Sequence, residues 1–448
     1  MTGKPAVLPA EAEGPALEGR GPDLACDPGG PVAWLTGDWV RASQTFIQRE
    51  ADALRGMGLD LRAFTIRPPA PEATDAALLA EGARITAVLP LAARPGTALR
   101  AHGTALMRSP GLWLRALVAG WRDAAPGLRG RLYGLIYFHE AVVLAQALRA
   151  IGAVHLHNHF AMASCVVARL AAPLAGITWS FTLHGPDDLS EARRFRLDRS
   201  VAGASFVACI SAFARSQAML VSDPAHWPKL HIVRCGVEPD RYLLAARARP
   251  DPDRLLFVGR LAPQKGVPVL LDGFALARVR RPSLRLAVVG DGPGRASAEA
   301  QAARLGLGSA VEFLGWRDQG EIAAELARAA LLVLPSFAEG VPVVLMEAMA
   351  AARPVIATRI AGVAELVEDG ATGLLVPPGE EEALAEAILS LAADPARAAA
   401  MGRRGRERVL TGFDARREAA RLARLVSWAR QGGERPARRP LLPGETGA

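Results

Sequence analysis

The sequence predicts an α/β protein of two doubly wound domains, each a parallel sheet covered by helices, facing each other across a cleft. Three observations carry this. Strand-like and helix-like patterns alternate in two separate blocks, the mark of parallel sheets buried on both faces. A stretch rich in Arg, Ala and Pro, residues 245–252, parts the blocks. The 448 residues, half of them hydrophobic and 22% charged, suffice for two or three domains with their own cores at about 150 residues each.

The first block opens at Pro31. Residues 32–36 read as a short buried strand and Gly37-Asp38 as a turn. Ser43 is the expected N-cap of a helix through Ala53, and 59–66 is the next strand. Residues 97–152 read as helical, broken at Pro110 and Pro126, because proline removes a donor and crowds the preceding turn. Strands return at 154–158, 178–183 and 205–210, each followed by a helical pattern. The first domain is therefore expected at 31–244. The second, 254–412, has expected strands at 255–258, 284–289, 311–313, 331–334, 355–357 and 373–376, with helices in the gaps. A last helix is expected at 413–430. The Pro-, Gly- and acid-rich residues 1–30 read as a disordered leader, and the Gly-, Pro- and Arg-rich residues 431–448 as a disordered tail.

Lys and Arg outnumber Asp and Glu by 53 to 45, giving a formal charge of +8 and a pI near 10.0. No helix-turn-helix, RNP or zinc-finger pattern accompanies that charge, so a nucleic-acid partner is not expected. Cys26, Cys165, Cys209 and Cys235 form no C-x-x-C pair, which excludes a disulfide scaffold and a zinc ribbon. Buried reduced thiols in a cytoplasmic protein are the expectation. No apolar run reaches 18 residues, and the nearest, 132–148, carries His139 and Glu140. Six arginines, Arg100 to Arg131, face one acid, Asp123, with Trp113, Trp121, Tyr133 and Tyr137 interleaved. Two readings stand side by side: a membrane-surface segment, or a solvated basic face over an ordinary core.

Two loops carry chemistry. In the segment from Ser336 to Glu347 a strand ends at Leu334-Pro335, and a helix is expected to begin at Val341 or Pro342, with proline at the first helical position. Glu339 precedes that helix and Glu347 lies near its second turn. Gly340 lets a ligand approach the backbone, and the first helix amides suit a phosphate. In the segment from Val258 to Gly266 a strand ends and Arg260 and Lys265 follow, five apart. An Arg fork and a Lys point charge suit phosphate oxygens.

These residues carry a family resemblance. Arg260 and Lys265, followed by Glu339-x7-Glu347, resemble the donor-site signature of the retaining GT-B glycosyltransferases of family 4. Gly290-Asp291-Gly292-Pro293 and Gly362-x-x-Glu365-x-x-x-Asp369-Gly370-x-x-Gly373 match in order and spacing, so the resemblance covers about residues 254–430. The N-terminal half resembles a subset that builds bacterial exopolysaccharide, colanic-acid type included. Its matching segments begin at Ser43, His157, Ser180 and Val233, the third ending in His184-Gly185.

The resemblance implies two Rossmann-like domains in a GT-B arrangement, the first binding acceptor and the second the nucleotide-sugar donor, with the last helix crossing back to the first. It implies that Arg260 and Lys265 bind the donor diphosphate, that Glu339 contacts the transferred sugar and that Glu347 holds the ribose. Gly37, Gly259, Gly290, Gly340 and Val341 line the donor site, and His184, His157, His159 and Asp187 lie on the acceptor side. Catalysis would rest on Arg260, Lys265, Glu339 and His184. The implied co-substrate is a UDP- or GDP-sugar, with no metal and no other cofactor. The implied acceptor is a polyprenyl-diphosphate-linked oligosaccharide, met at the inner face of the plasma membrane. Many relatives have two glycines in the loop after the first strand. Here Gly37 stands alone in Thr36-Gly37-Asp38.

Rival patterns are present. Gly290-x-Gly292-x-Gly294 imitates a dinucleotide fingerprint, but its third glycine comes one position early and its unit stands second in its block. His155, His157 and His159 alternate and so share one strand face. A metal hydrolase working through His157 and His159 is the rival enzyme, while His155 reads as a satisfied core residue. Asp251-Pro252-Asp253 spells a D-x-D and reads as a turn with solvated carboxylates. The rival non-enzyme is a catalytically silent sugar-nucleotide-binding partner.

Overall fold

Strands apolar on both faces cannot lie at a surface; they require helices on both sides of the sheet. The computed structural model, which describes residues 29–38, 45–68, 82 and 84–438, uses its strands in that way. The N-terminal sheet comprises β1 (Val32–Thr36), β2 (Leu61–Thr65), β3 (Thr86–Ala87), β4 (His155–His159), β5 (Thr178–Leu183), β6 (Phe206–Cys209) and β7 (Leu230–Ile232). All seven run parallel, in the order β3-β2-β1-β4-β5-β6-β7. The C-terminal sheet comprises β8 (Asp251–Val258), β9 (Arg285–Val289), β10 (Val311–Gly315), β11 (Ala329–Leu334), β12 (Val355–Thr358) and β13 (Gly373–Val376). It too is parallel, in the order β10-β9-β8-β11-β12-β13. Strand order reverses between β1 and β4 and between β8 and β11, and ligands of such sheets bind at those switch points.

One face of the N-terminal sheet is covered by helices Leu128–Ala150 and Ala163–Ala175. The other is covered by helix Thr45–Gly56 and, from the far end of the chain, helix Ala415–Gln431. Leu422, Leu425 and Val426 of that last helix share a core with Val32, Trp34 and Leu54. The residues between 95 and 150 form three helices, Pro95–Arg108, Pro110–Arg122 and Leu128–Ala150, with breaks at the expected prolines.

Several expectations are corrected. Residues 251–253 open β8 rather than forming a turn, and Asp253 and Asp251 pair with Arg281 and Arg285 across the sheet edge. The segment 245–252 is no loose linker: helix Leu243–Arg247 occupies its start, and Arg353 donates to the carbonyls of Ala245 and Ala248 at 2.6 and 3.0 Å. The tail is ordered as far as Arg438, whose carbonyl accepts from Ile232 N at 2.7 Å. The reason is the open edge of β7, whose free amides call for a partner. Residues 439–448, Ser43 and all of the leader except Gly29 and Gly30 lie outside the described residues.

Candidate functional site

The loops after β8 and β11, neighbours at the C-terminal switch point, are held in close contact by glycine. Gly266 has φ +64°, and a Cβ there would lie 2.0 Å from the Pro335 carbonyl oxygen. Phe337 N donates to Gln264 O at 2.8 Å. This register brings Lys265 to Glu339, with Nζ donating to Oε1 at 2.6 Å. Arg260, in the same loop as Lys265, is exposed and makes no ion pair among the described residues. A Cβ on Gly259 would lie 3.3 Å from the Phe257 ring and 3.7 Å from Lys265 Cδ. At Gly290, φ +129°, a Cβ would lie 2.0 Å from Gly259 O. The glycine cluster that imitates a dinucleotide loop is thus spent on packing one loop against the next.

The helix after Glu339 begins later than expected. Pro342 is its N-cap, with ψ 121°, and Val343 is the first helical residue. Proline accepts the extended conformation there without loss, because its missing N–H falls outside the helix ladder. Glu347 is buried and faces the other domain. Arg49 of helix Thr45–Gly56 reaches it at 2.6 Å, the two side chains being 5% and 8% exposed. Tyr242 also hydrogen-bonds Glu347, and burial together with that carboxylate pushes its phenol upward.

The two domains meet over this site. A Cβ on Gly340 would lie 2.3 Å from the His184 carbonyl oxygen, and one on Gly185 2.9 Å from Gly340 Cα. Glu365 of the C-terminal domain accepts from Ala212 N and Phe213 N, each at 2.8 Å, and so caps helix Ala212–Val221 of the other domain. Val341 is buried behind Gly340, whose carbonyl accepts from Gly362 N at 3.1 Å. Gly37 sits after β1 and accepts from Thr65 and Arg67.

His184 follows β5 with its backbone at the cleft and its ring turned into its own domain. Nε2 pairs with His159 Nδ1 at 2.9 Å, and Nδ1 faces Cys235 Sγ at 3.9 Å. Its amide donates to Asp188 Oδ2 at 2.7 Å, while Asp188 Oδ1 accepts from Ala161 N at 2.7 Å. This buried carboxylate ties the ends of β4 and β5 together. The segment His184-Gly185-Pro186-Asp187-Asp188 holds two carboxylates, and the one that does this work is Asp188, next to the expected Asp187. The Asp187 side chain lies outside the described residues.

A polar stripe runs through the sheet. His155 pairs with Thr178 and Ser180 hydroxyls, each at 2.7 Å, and His157 with Ser180 and Thr182 at 2.7 and 2.8 Å. A neutral imidazole has one donor and one acceptor, and a hydroxyl can give and take one bond, so both ring nitrogens of His155 and of His157 are satisfied. Burial pushes His155 down to about 3 and His157 and His159 well below the ordinary range. Glu50 lies 3.4 Å from His159, and burial, then Glu418, raises its carboxyl to about 8. Ligand atoms of Glu50, His157 and His159 lie within 4.8 Å of one another, as metal ligands do. A cation could take His157, however, only by breaking one of its two hydroxyl bonds.

The structure therefore joins Lys265 to Glu339, leaves Arg260 exposed in the same loop as Lys265 and brings His184-Gly185 against Gly340. It pairs Glu347 with Arg49, a partner to which no local pattern points, since 298 positions separate the two. Glu365 and Asp369 part company: the first bridges domains, while the second accepts from Leu375 N within a turn of its own domain.

Residues 245–408 match the family described as glycosyl transferases group 1. The chain is 35% identical over 218 residues to a glycogen synthase of Mycobacterium tuberculosis, covering 48% of this chain and 52% of that protein. It is 34% identical over 170 residues to the amylovoran biosynthesis glycosyltransferase AmsK of Erwinia amylovora, covering 36% and 42%. The chain thus spans about half the length of these relatives. The structure of Anabaena HepE in complex with UDP superposes with a TM-score of 0.65 at 20% identity, covering 89% of this chain and 99% of that one. Sucrose-phosphate synthase from Thermosynechococcus elongatus superposes at 0.67 with 24% identity, covering 88% and 98%. The chain has the GT-B fold, its residues 245–408 match the glycosyl transferases group 1 family, and it resembles the family 4 glycosyltransferases of bacterial exopolysaccharide biosynthesis.

Proposed function

We propose that the protein moves a hexose from a UDP- or GDP-sugar, with retention of configuration, to a polyprenyl-diphosphate-linked oligosaccharide at the cytoplasmic face of the inner membrane. The observation that carries this is the meeting of Lys265 and Glu339 at the C-terminal switch point, directly beneath His184-Gly185 of the other domain. In the transfer, the bond between the anomeric carbon and the diphosphate oxygen breaks and the acceptor oxygen bonds to that carbon. The acceptor proton passes to the departing phosphate, so no separate base is required. Negative charge grows on the leaving diphosphate, and Arg260, Lys265 and the open amides at the start of helix Val343–Ala350 are the groups placed to absorb it. Glu339, held by Lys265, is left to accept from sugar hydroxyls. His184 serves as a neutral wall, since burial holds it at about 3, and its positioning depends on Asp188 and His159.

The membrane part of the proposal has its own support. Eleven of the twenty strongly exposed large apolar side chains among the described residues fall between Leu89 and Ile136, where Arg100, Arg108, Arg115, Arg122 and Arg129 are exposed too. Apolar and cationic groups on one face suit an anionic bilayer surface. No helix among the described residues is long and apolar enough to cross a membrane.

Lys265→Ala tests the donor reading. Loss of one preorganised contact of this kind lowers turnover by about a hundredfold to a thousandfold, with circular dichroism unchanged. Near-normal turnover would remove Lys265 from the mechanism.

A further inference from the structure

The helical part of the N-terminal domain contains a cavity that the transfer reaction leaves unused. Helices Pro110–Arg122 and Leu128–Ala150 cross where Gly120 meets Gly134; a Cβ on Gly134 would lie 2.1 Å from Gly120 O. Beside this crossing is a cavity of about 450 Å³, within the size range of small-ligand sites. Its wall presents three guanidiniums, Arg129, Arg169 and Arg194, two phenols, Tyr133 and Tyr137, and one carboxylate, Asp123.

The carboxylate is already committed. Asp123 is buried and accepts from Arg169 at 2.8 Å and Arg122 at 3.2 Å. Burial alone would raise its carboxyl, but those two cations hold it below the usual range. Arg169 Nε is buried with no partner among the described residues. Arg194 makes an exposed pair with Glu191 at 3.1 Å, and Arg129 lies 5.9 Å over the Tyr133 ring. Donors thus outnumber acceptors, and guanidinium forks match phosphate oxygens. Outside the cavity the same two helices carry exposed apolar side chains: Trp121, Leu128, Leu132 and Ile136 are 46, 75, 52 and 45% exposed. Donors inside and apolar surface outside describe a ligand with an anionic head and a greasy tail.

We propose that this cavity receives the phosphate head of a lipid, whose tail lies along the exposed faces of the two helices. For its role, though not for the site itself, the inference rests on the transfer proposed above: the lipid phosphate would be the anchor that carries the acceptor glycan. The chain connects the two places. His184-Gly185 backs onto Gly340, and ten residues further on the same segment reaches Arg194, a span of at most about 35 Å.

The test compares the full chain with Arg129→Ala/Arg194→Ala, both positions being exposed and safe for folding. The probes are farnesyl diphosphate, inorganic pyrophosphate and vesicles containing phosphatidylglycerol. The expected result is that the double variant binds at least one lipid phosphate at least about tenfold more weakly, the scale of one lost charge-assisted contact. Loss for farnesyl diphosphate assigns the site to an isoprenoid diphosphate, and loss for vesicles alone assigns it to a bilayer headgroup. Unchanged binding of both overturns the proposal. So does wild-type binding of pyrophosphate as tight as that of farnesyl diphosphate, or an equal loss in the control Arg100→Ala/Arg108→Ala, which lies outside the cavity. Thermal protection by UDP- and GDP-sugars is followed in parallel. Its absence would defeat the donor reading and leave the lipid-phosphate result standing.

Discussion

His155, His157 and His159 show how burial decides what a residue type does. Alternation along a strand suggested metal ligands, but the neighbouring strand supplies hydroxyls at 2.7–2.8 Å to His155 and His157, and the rings stay neutral. The consequence is a pH dependence with a definite sign. An imidazole depressed in the folded state takes up its proton first in the unfolded chain, near pH 6.5. Below that pH stability falls, by up to about 1.4 kcal/mol per pH unit for each such ring. Glu50 and Glu140 act in the opposite sense: raised to about 8 and about 7, they hold protons in the folded state, so stability falls as pH rises through that span. Denaturation midpoints should peak near pH 6.5 and drop steeply on the acid side. A midpoint still rising toward pH 5 would rule out a neutral buried stripe. Arg49 is the second residue-scale test. It pairs with Glu347 in a nearly dry contact between domains, and removing one partner of such a pair typically costs about 3–5 kcal/mol. Arg49→Met should lose stability on that scale in chemical denaturation. An effect below about 1 kcal/mol would show that water reaches the pair.

At the scale of elements, glycines set the distances between loops. Gly340 has no room for a Cβ, with His184 O at 2.3 Å and Ile210 Cδ1 at 2.7 Å, both in the other domain. Gly340→Ala should therefore hold the domains apart, enlarging the radius of gyration in small-angle scattering and reducing turnover. Gly103→Ala, in helix Pro95–Arg108 with nothing within 4 Å, should be neutral or add up to about 1 kcal/mol. Similar effects from the two would discount the contact. Elements also mark what the sequence pattern could resolve. Long buried strands such as β5 and helices bounded by proline were legible because periodicity and breakers act locally. The strands β3 and β7, of two and three residues, were not, since such segments pair only because a neighbour is present. The D-x-D was misread for the same reason: Asp251 and Asp253 lie in a strand because Arg281 and Arg285 neutralise them there.

For the whole molecule, closure and completeness are the issues. Helix Ala415–Gln431 is last in sequence yet fills the core beside β1. Deletion from Ala415 onward would remove Leu422 and Leu425 and uncover Trp34 and Leu54, which share their core, and should yield aggregated or molten N-terminal domain. A cooperative, unchanged melting transition would show the helix to be dispensable. Screening UDP- and GDP-sugars for thermal protection should separate the donors, by about 2.7 kcal/mol of stabilisation at a hundredfold excess over Kd. The amino-acid sequence by itself determined the two parallel sheets and brought the loops of Arg260, Lys265 and Glu339 into view as candidates, because strand–helix alternation and loop chemistry are written within short windows. Tertiary structure alone decided that Arg49 answers Glu347, that Glu365 caps a helix of the other domain and that the histidine stripe is sealed. Those contacts join residues 23–298 positions apart, and only the packed sheets, by excluding water and fixing register, give them their partners.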